Sequence, residues 1–146
     1  MDLLKIMRNI ELFEELTDSE LEEIAAICEA KRLKKGDILV EEGALGETFF
    51  IITEGAVEVV VNSAFDTSRR AVLNLGVGQL IGEMSLVEQS PRSATVVAIE
   101  KPTTVQAIRH DDFHRLCERN TRIGYITMRN MAADISFKLR HFNLSR

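Results

Sequence analysis

A mainly β architecture with helices at both ends is what the chain predicts, because its hydrophobic period changes twice along its length. Residues 34–107 carry short β-rich runs broken by Gly36, Gly43, Gly46, Gly55, Gly76 and Gly78, the pattern of an antiparallel barrel or jelly roll. On either side, apolar residues recur at the spacing of an amphipathic helix. In order, Leu12-Phe13 reads as a short turn and residues 16–28 as a helix capped by Thr17 or Asp18, with acids in its first turn. Leu21, Ile24, Ala25 and Cys28 fall at i, i+3, i+4 and i+7, so one face is core. The N-terminal helical part is expected over about residues 10–33 and the barrel over about 34–110, with 62–70 as an exposed polar hairpin loop.

From Asp111 the helical period returns, over about residues 111–142. Asp111 or Asp112 is placed to cap a short helix through Cys117, and Asn120 or Thr121 to start a longer one reaching about Phe142. Gly124 weakens the first turns of that helix. Along it, Met128, Met131, Ala132, Ile135, Leu139 and Phe142 form an apolar stripe with Arg129, Asp134 and Arg140 off it. The stripe either packs on its own barrel or pairs with a second copy as a dimer seam. The seam is preferred, since a terminal helix has little barrel left to cover its far side.

A length of 146 residues suits one domain over 1–146 but is short for a core plus an effector module. With 45% hydrophobic and 28% charged residues the chain reads as an ordinary soluble globular protein. No apolar run is long enough to span a bilayer, and residues 1–10 lack the apolar stretch of a signal peptide, so a cytoplasmic protein without membrane contact is expected. Cys28 and Cys117, the only 2 cysteines, read as reduced thiols and cannot supply the ligands of an iron-sulfur cluster. Residues 1–100 hold 9 Lys+Arg against 19 Asp+Glu (-10), whereas 101–146 hold 9 against 4 (+5). A basic C-terminal part is compatible with nucleic acid, but a helix facing an acidic barrel or partner gives the same bias. With no room for a helix-turn-helix after the last helix, direct DNA binding is not expected.

Residues 81–95, Ile-Gly-Glu-Met-Ser-Leu-Val-Glu-Gln-Ser-Pro-Arg-Ser-Ala-Thr, hold the densest chemistry. The Arg92 guanidinium is a planar fork that fits phosphate oxygens, and the Glu83 carboxylate accepts hydrogen bonds from sugar hydroxyls. Met84 to Val87 can start a short helix whose N–H groups favour an anion. Gly82 allows close backbone approach, Ser93 and Ala94 leave room for a phosphate, and Ser93 adds donors.

This segment resembles the phosphate-binding cassette of the cyclic-nucleotide-binding domain family, Phe-Gly-Glu-(Leu/Met)-(Ala/Ser)-Leu followed by Pro-Arg-(Ser/Ala/Thr)-Ala-Thr, with Ile81 in place of the aromatic, a change that should affect packing only. Residues 36–43 and 49–59 look like the family's early strands with their turn glycines, and the resemblance runs from about Ile10 to the end of the sequence. It implies an eight-stranded jelly roll (double-stranded β-helix) and a ligand, cAMP or cGMP, contacted by Ile81, Gly82, Glu83, Met84, Ser85, Arg92, Ser93, Ala94 and Thr95. Within that set it gives Glu83 the ribose 2'-hydroxyl and Arg92 the cyclic phosphate. Ser93 is compatible with either purine, and its occurrence in cAMP-binding bacterial relatives favours cAMP. The family's terminal helix lies over the base, which points to Lys138, Leu139 and Phe142 as a lid. Leu139 and Phe142 equally continue the apolar stripe.

Other motifs are weaker. Gly76-Val77-Gly78 to Gly82 has the wrong spacing for a dinucleotide fingerprint. His110, His114 and His141 lack the further ligands of a metal site, Arg69-Arg70 reads as a solvated loop, and no nucleophile–base pair is legible. Nothing near Glu83 makes it a general base. The expectation is therefore a non-enzymatic sensor with no cofactor or metal, a homodimer through its last helix, acting on an effector protein. The alternatives are a ligand-free dimerising module of the same fold, or the sensor part of a transcription regulator lacking its DNA-binding domain.

Overall fold

The computed structural model describes residues 2–62, 65 and 68–144, and the side chains of these as far as His141. Two antiparallel sheets with helices before and after them form the fold. Helix α1 (Leu3–Met7) is capped by the Asp2 carboxylate, which accepts from the Leu4 N–H at 3.1 Å, and a 3-10 turn (Glu11–Phe13) follows. Helix α2 (Asp18–Ala25) starts at Thr17 with a complete capping box. The Thr17 hydroxyl accepts from the Glu20 N–H at 3.2 Å, and the Glu20 carboxylate accepts from the Thr17 N–H at 2.9 Å. Leu21 and Ile24 are buried as the period requires, with Ala25 and Cys28 packed beside them.

The helical part ends earlier than the sequence suggested. Glu29–Leu33 is strand β1, not helix. Its sequence Glu-Ala-Lys-Arg-Leu has little β propensity and only Leu33 is buried; pairing with a later strand decides it. Strands β2 (Ile38–Val40), β3 (Thr48–Glu54), β4 (Ala56–Asn62), β5 (Arg69–Gly76), β6 (Leu80–Ile81), β7 (Thr95–Ala98) and β8 (Thr103–Arg109) follow. They assemble as two 4-stranded sheets, β1-β8-β3-β6 and β2-β7-β4-β5. The polar hairpin is shorter than expected, since β4 runs through Asn62 and β5 already begins at Arg69.

Strand β3 is the hinge of the packing. Side chains alternate faces along a strand, so Phe49 and Ile51 join the cluster under the helices while Phe50 and Ile52 enter the cluster between the sheets. All four are buried. Phe49 meets Phe113 edge-to-face at 5.5 Å, which ties the sheet to helix α3 (His110–Arg119). Asp111 and Asp112 lie in the first turn of α3 and favour its positive end, but its cap is Arg109 without a side-chain bond, and the helix continues past Cys117.

Helix α4 (Thr121–Leu144) is capped by Asn120, whose side-chain oxygen accepts from the Ile123 N–H at 3.4 Å. Gly124, expected to weaken this helix, is instead a contact point: a Cβ there would come within 3.0 Å of Cys117, so its absence lets α3 and α4 close up. The expected stripe splits. Met131 is buried, and Met128 and Ile135 pack on the core under the helices, whereas Ala132 and Leu139 are exposed. Ile123, Ile126 and Thr127 complete the buried face. The Phe142 side chain lies outside the described residues. Among the described residues no helix is long and apolar enough to cross a membrane.

The C-terminal excess of positive charge has a local use. Arg122 pairs with Glu20, Arg129 pairs with Glu15, and the Asn130 amide donates to the carbonyls of Leu12 at 3.0 Å and Glu14 at 2.8 Å. These contacts clamp α4 onto the acidic N-terminal segment. Thr17→Ala removes the hydroxyl that accepts from the Glu20 N–H while keeping the main-chain N–H that holds the Glu20 carboxylate, so a loss of about 1 kcal/mol is expected in urea unfolding. Wild-type stability in that variant would contradict the cap.

Candidate functional site

The segment after β6 is shaped by its first residue. Gly82 adopts φ 80, a left-handed conformation that favours glycine, and opens a 3-10 helix over Glu83–Leu86. This element starts one residue before the short helix expected at Met84, and it is a 3-10 rather than an α-helical turn. Buried Leu86 anchors it in the core under the helices, while Met84 faces outward. The Pro91-Arg92 stretch is held by its main chain: Arg92 N–H donates to Ala44 O and Gly43 N–H donates to Arg92 O, each at 2.8 Å. Arg92 is thereby fixed against the loop before β3.

Its side chain turns inward. One guanidinium nitrogen donates to the Thr48 carbonyl at 2.5 Å, and the group lies against both Gly46 and Gly82. A Cβ at either glycine would run into the guanidinium. Burial pulls the pKa of Arg92 down and the nearby Glu83 charge opposes this. Burial also pushes the Glu83 carboxyl above its ordinary range; its own N–H, Lys138 and Arg92 act against that shift, while Asp134 adds to it. Among the described residues no ion pair joins Glu83 to Arg92. The two charges face one cleft at a distance rather than neutralising each other.

That cleft has a volume of about 290 Å³, at the lower end of small-molecule sites, which begin near ~300 Å³. Of the residues expected from the sequence, Ile81 through Ser85 and Arg92 through Ala94 line it. Thr95 does not: it is 2% exposed, and its hydroxyl accepts from the Glu42 N–H at 3.0 Å, a structural use. The floor is Val40, Val59, Leu75 and Val96, apolar strand positions that the sequence did not single out. Gly46 and Thr48 were also missed; Gly46 was read only as a turn glycine, and a carbonyl has no sequence signal. On the helix side a second cavity of about 480 Å³ shares Leu75, Leu80, Glu83 and Met84 with the cleft.

Lys138 lines that second cavity, bonded to Asp134 at 2.9 Å. The Asp134 bond raises the lysine's pKa; burial opposes this, and the Asp134, Glu83 and Glu11 charges add to the rise. Leu139 is 59% exposed and lines neither cavity. His110 and His114 do not gather a metal site: among the described residues no group of three or more His, Cys, Asp or Glu does. A half-buried guanidinium, a desolvated carboxylate and an apolar floor can together hold a small molecule carrying an anion, a hydroxyl and a flat apolar group.

The model of the cyclic nucleotide-binding domain family matches residues 30–120. The chain belongs to that family. It is 29% identical over 122 residues to a cGMP-dependent protein kinase of Eimeria tenella, covering 84% of this chain and 12% of the kinase. To the cyclic AMP receptor protein of Thermus thermophilus it is 28% identical over 138 residues, 94% of this chain and 61% of that protein. Only the binding domain of these relatives is matched, and the chain spans less than two thirds of their length. Among solved structures, the N-terminal domain of a Streptomyces coelicolor transcriptional regulator superposes with a TM-score of 0.83 at 28% identity, covering 96% of this chain and 94% of that one. The Thermus thermophilus catabolite activator protein gives 0.79 at 27% identity, covering 92% and 61%.

Two expectations follow from the geometry of the cleft. Gly46→Ala should lose about 1 to 3 kcal/mol of stability, because the new methyl displaces the guanidinium from Thr48. Gly76→Ala is the control: a Cβ there meets nothing within 4 Å, so it should stay within about 1 kcal/mol of wild type. Equal unfolding midpoints for the two would show that Gly46 is not needed for Arg92. Glu83→Gln removes a carboxylate whose folded pKa is raised. Such a group binds more protons folded than unfolded, so it destabilises above its folded pKa and the penalty fades as pH falls to its unfolded value. The variant should melt higher than wild type at pH 7, with the gain shrinking as the pH falls through the raised folded value toward the ordinary 4.5. A gain that grows on acidification would overturn the assignment.

Proposed function

We propose that this domain is a non-enzymatic cyclic-nucleotide sensor that takes cAMP, with cGMP as the competing ligand, in the cleft between Glu83 and Arg92. The observation that carries the reading is the Arg92 guanidinium, held inside the cleft by a neutral carbonyl and two glycines rather than by an acid. A cyclic phosphate offers it charge-assisted, two-pronged bonding in place of a single neutral acceptor. Glu83 accepts the ribose 2'-hydroxyl, which offsets part of its desolvation, and Ile81, Met84 and the apolar floor take the sugar and base. Gly82, Ser85 and Ala94 bring backbone groups close to the phosphate, and Ser93 adds its hydroxyl. Thr95 supports the cassette from behind.

Membership of the family supports the ligand class, and the names of the relatives span both cAMP and cGMP. Output passes through α4: Lys138 sits across the second cavity from Glu83, and Leu139 and Phe137 are exposed on the same helix. On this reading Lys138, with Leu139 and Phe142, forms the lid, and the exposed apolar residues pair α4 with a second copy. The effector is a partner protein or a further segment of a longer chain. The exposed apolar residues of α4 also favour a second reading, a ligand-free dimerising module.

Calorimetric titration with cAMP, cGMP and cyclic dinucleotides separates the two. Binding of cAMP well below millimolar, more than about 4 kcal/mol, is expected. If no cyclic nucleotide reaches that affinity, the interaction module replaces the sensor; if cGMP binds more than about tenfold tighter, the choice of purine is reversed. Arg92→Ala should weaken binding by about 2 to 5 kcal/mol with circular dichroism unchanged. Glu83→Ala should lose about 1 to 3 kcal/mol and stop discriminating against 2'-deoxy cAMP. A chain ending at Phe137 should bind more weakly and lose the ligand-dependent change in hydrogen exchange over residues 128–137. Undiminished binding would make α4 a dimer element and not a lid.

A further inference from the structure

His110 begins α3, is 3% exposed, and is used by nothing described so far. Its Nε2 lies 2.9 Å from the Ser85 hydroxyl, which in turn reaches the Gly82 carbonyl at 2.7 Å. Its Nδ1 is buried without a hydrogen-bond partner. The ring stacks on Phe49 at 6.0 Å, and the His110 N–H donates to Glu47 O at 2.9 Å. One residue therefore touches both halves of the cleft: the turn that carries Glu83, and the 46–48 loop that holds Arg92.

The proton positions follow from counting donors. A serine hydroxyl has one proton. If Ser85 gives it to Gly82 O, the Ser85–His110 contact requires His110 to donate from Nε2. The alternative tautomer places an N–H on Nδ1, where it would be a buried donor without an acceptor, and an unmade donor is the more expensive error. The Nε2–H tautomer leaves only a lone pair at Nδ1.

We propose that His110 is a positioning residue for the cassette: as the neutral Nε2–H tautomer it donates to Ser85, Ser85 donates to Gly82 O, and the two bonds lock the Gly82–Ser85 turn that presents Glu83 and flanks Arg92. The environment agrees. Burial lowers the pKa of His110, and the Arg92 and His114 charges lower it further; the Gly82 carbonyl and Asp111 act the other way. In its effect on ligand affinity this proposal rests on the sensor reading above, but the lock itself does not.

Three measurements test it on the full chain. Nitrogen-15 shifts of the His110 ring at pH 7 should show a protonated Nε2 and a bare Nδ1; an Nδ1–H tautomer or an imidazolium overturns the proposal. Ser85→Ala, which breaks both bonds, and His110→Phe, which breaks one and keeps the stack on Phe49, should each speed amide exchange over residues 83–86 by about three- to tenfold. Because Ser85→Ala already breaks both bonds, the double variant should be no faster than Ser85→Ala alone. His110→Gln, which retains an N–H donor, should recover most of the protection. Additive effects, wild-type exchange in both single variants, or no recovery by glutamine each refute the lock. If His110→Phe does not fold, Ser85→Ala and the tautomer decide alone. Affinity for cAMP should fall about three- to tenfold in step with exchange. Absence of binding of any cyclic nucleotide by the wild-type chain refutes the sensor reading and leaves the tautomer and exchange results to judge the lock.

Discussion

Holding an unneutralised guanidinium partly out of water is the constraint around which the cleft is built. Arg92 sheds part of its hydration without gaining a carboxylate. What replaces the water is one carbonyl, that of Thr48, whose direction is set by β3. What makes room is the absence of two side chains, at Gly46 and Gly82. Each of these belongs to a different stretch of chain, so the arrangement exists only when the barrel is closed. A buried cation held this loosely exchanges its neutral partner readily for an anion that bonds it more strongly.

The opposite wall follows the same logic with inverted charge. Glu83 is desolvated, and Lys138 on α4 helps hold its negative charge across the second cavity. Lys138 thus acts on the cassette through its charge, without an ion pair to Glu83. Its own anchorage lies further back, in the buried Ile123 to Met131 face and in the pairs with Glu15 and Glu20. Among the described side chains, residues 136–141 are exposed and carry no such anchors.

Strand β3 connects these parts. Phe49 and Ile51 belong to the helix-side core, Phe50 and Ile52 to the core between the sheets, and the Thr48 carbonyl to the site. Displacement of any one is transmitted through a close-packed run, since dense interiors deform little. The same strand lies beside β8, whose end leads directly into His110 and α3.

Much of this was legible from residues alone because the signals are local. The capping box needs only Thr17 and Glu20 three apart, the alternation of β3 only consecutive apolar residues, and the cassette only the order of Gly82, Glu83, Arg92, Ser93 and Ala94 in one short segment. Where the sequence misled, a partner distant in the chain prevailed. Glu29–Leu33 looks helical until β8 supplies its hydrogen bonds, and Gly124 looks like a helix breaker until Cys117 packs against it. Thr95 looks like a ligand contact until Glu42 claims its hydroxyl, and the terminal stripe looks continuous until half of it is covered. The sequence by itself determined which chemical groups the site owns. Only the tertiary structure decided that Arg92 would be held by a main-chain carbonyl and two missing side chains, and that His110 would stand under Ser85. Carbonyl directions and empty volumes belong to no single residue, and they come into being when separated segments meet.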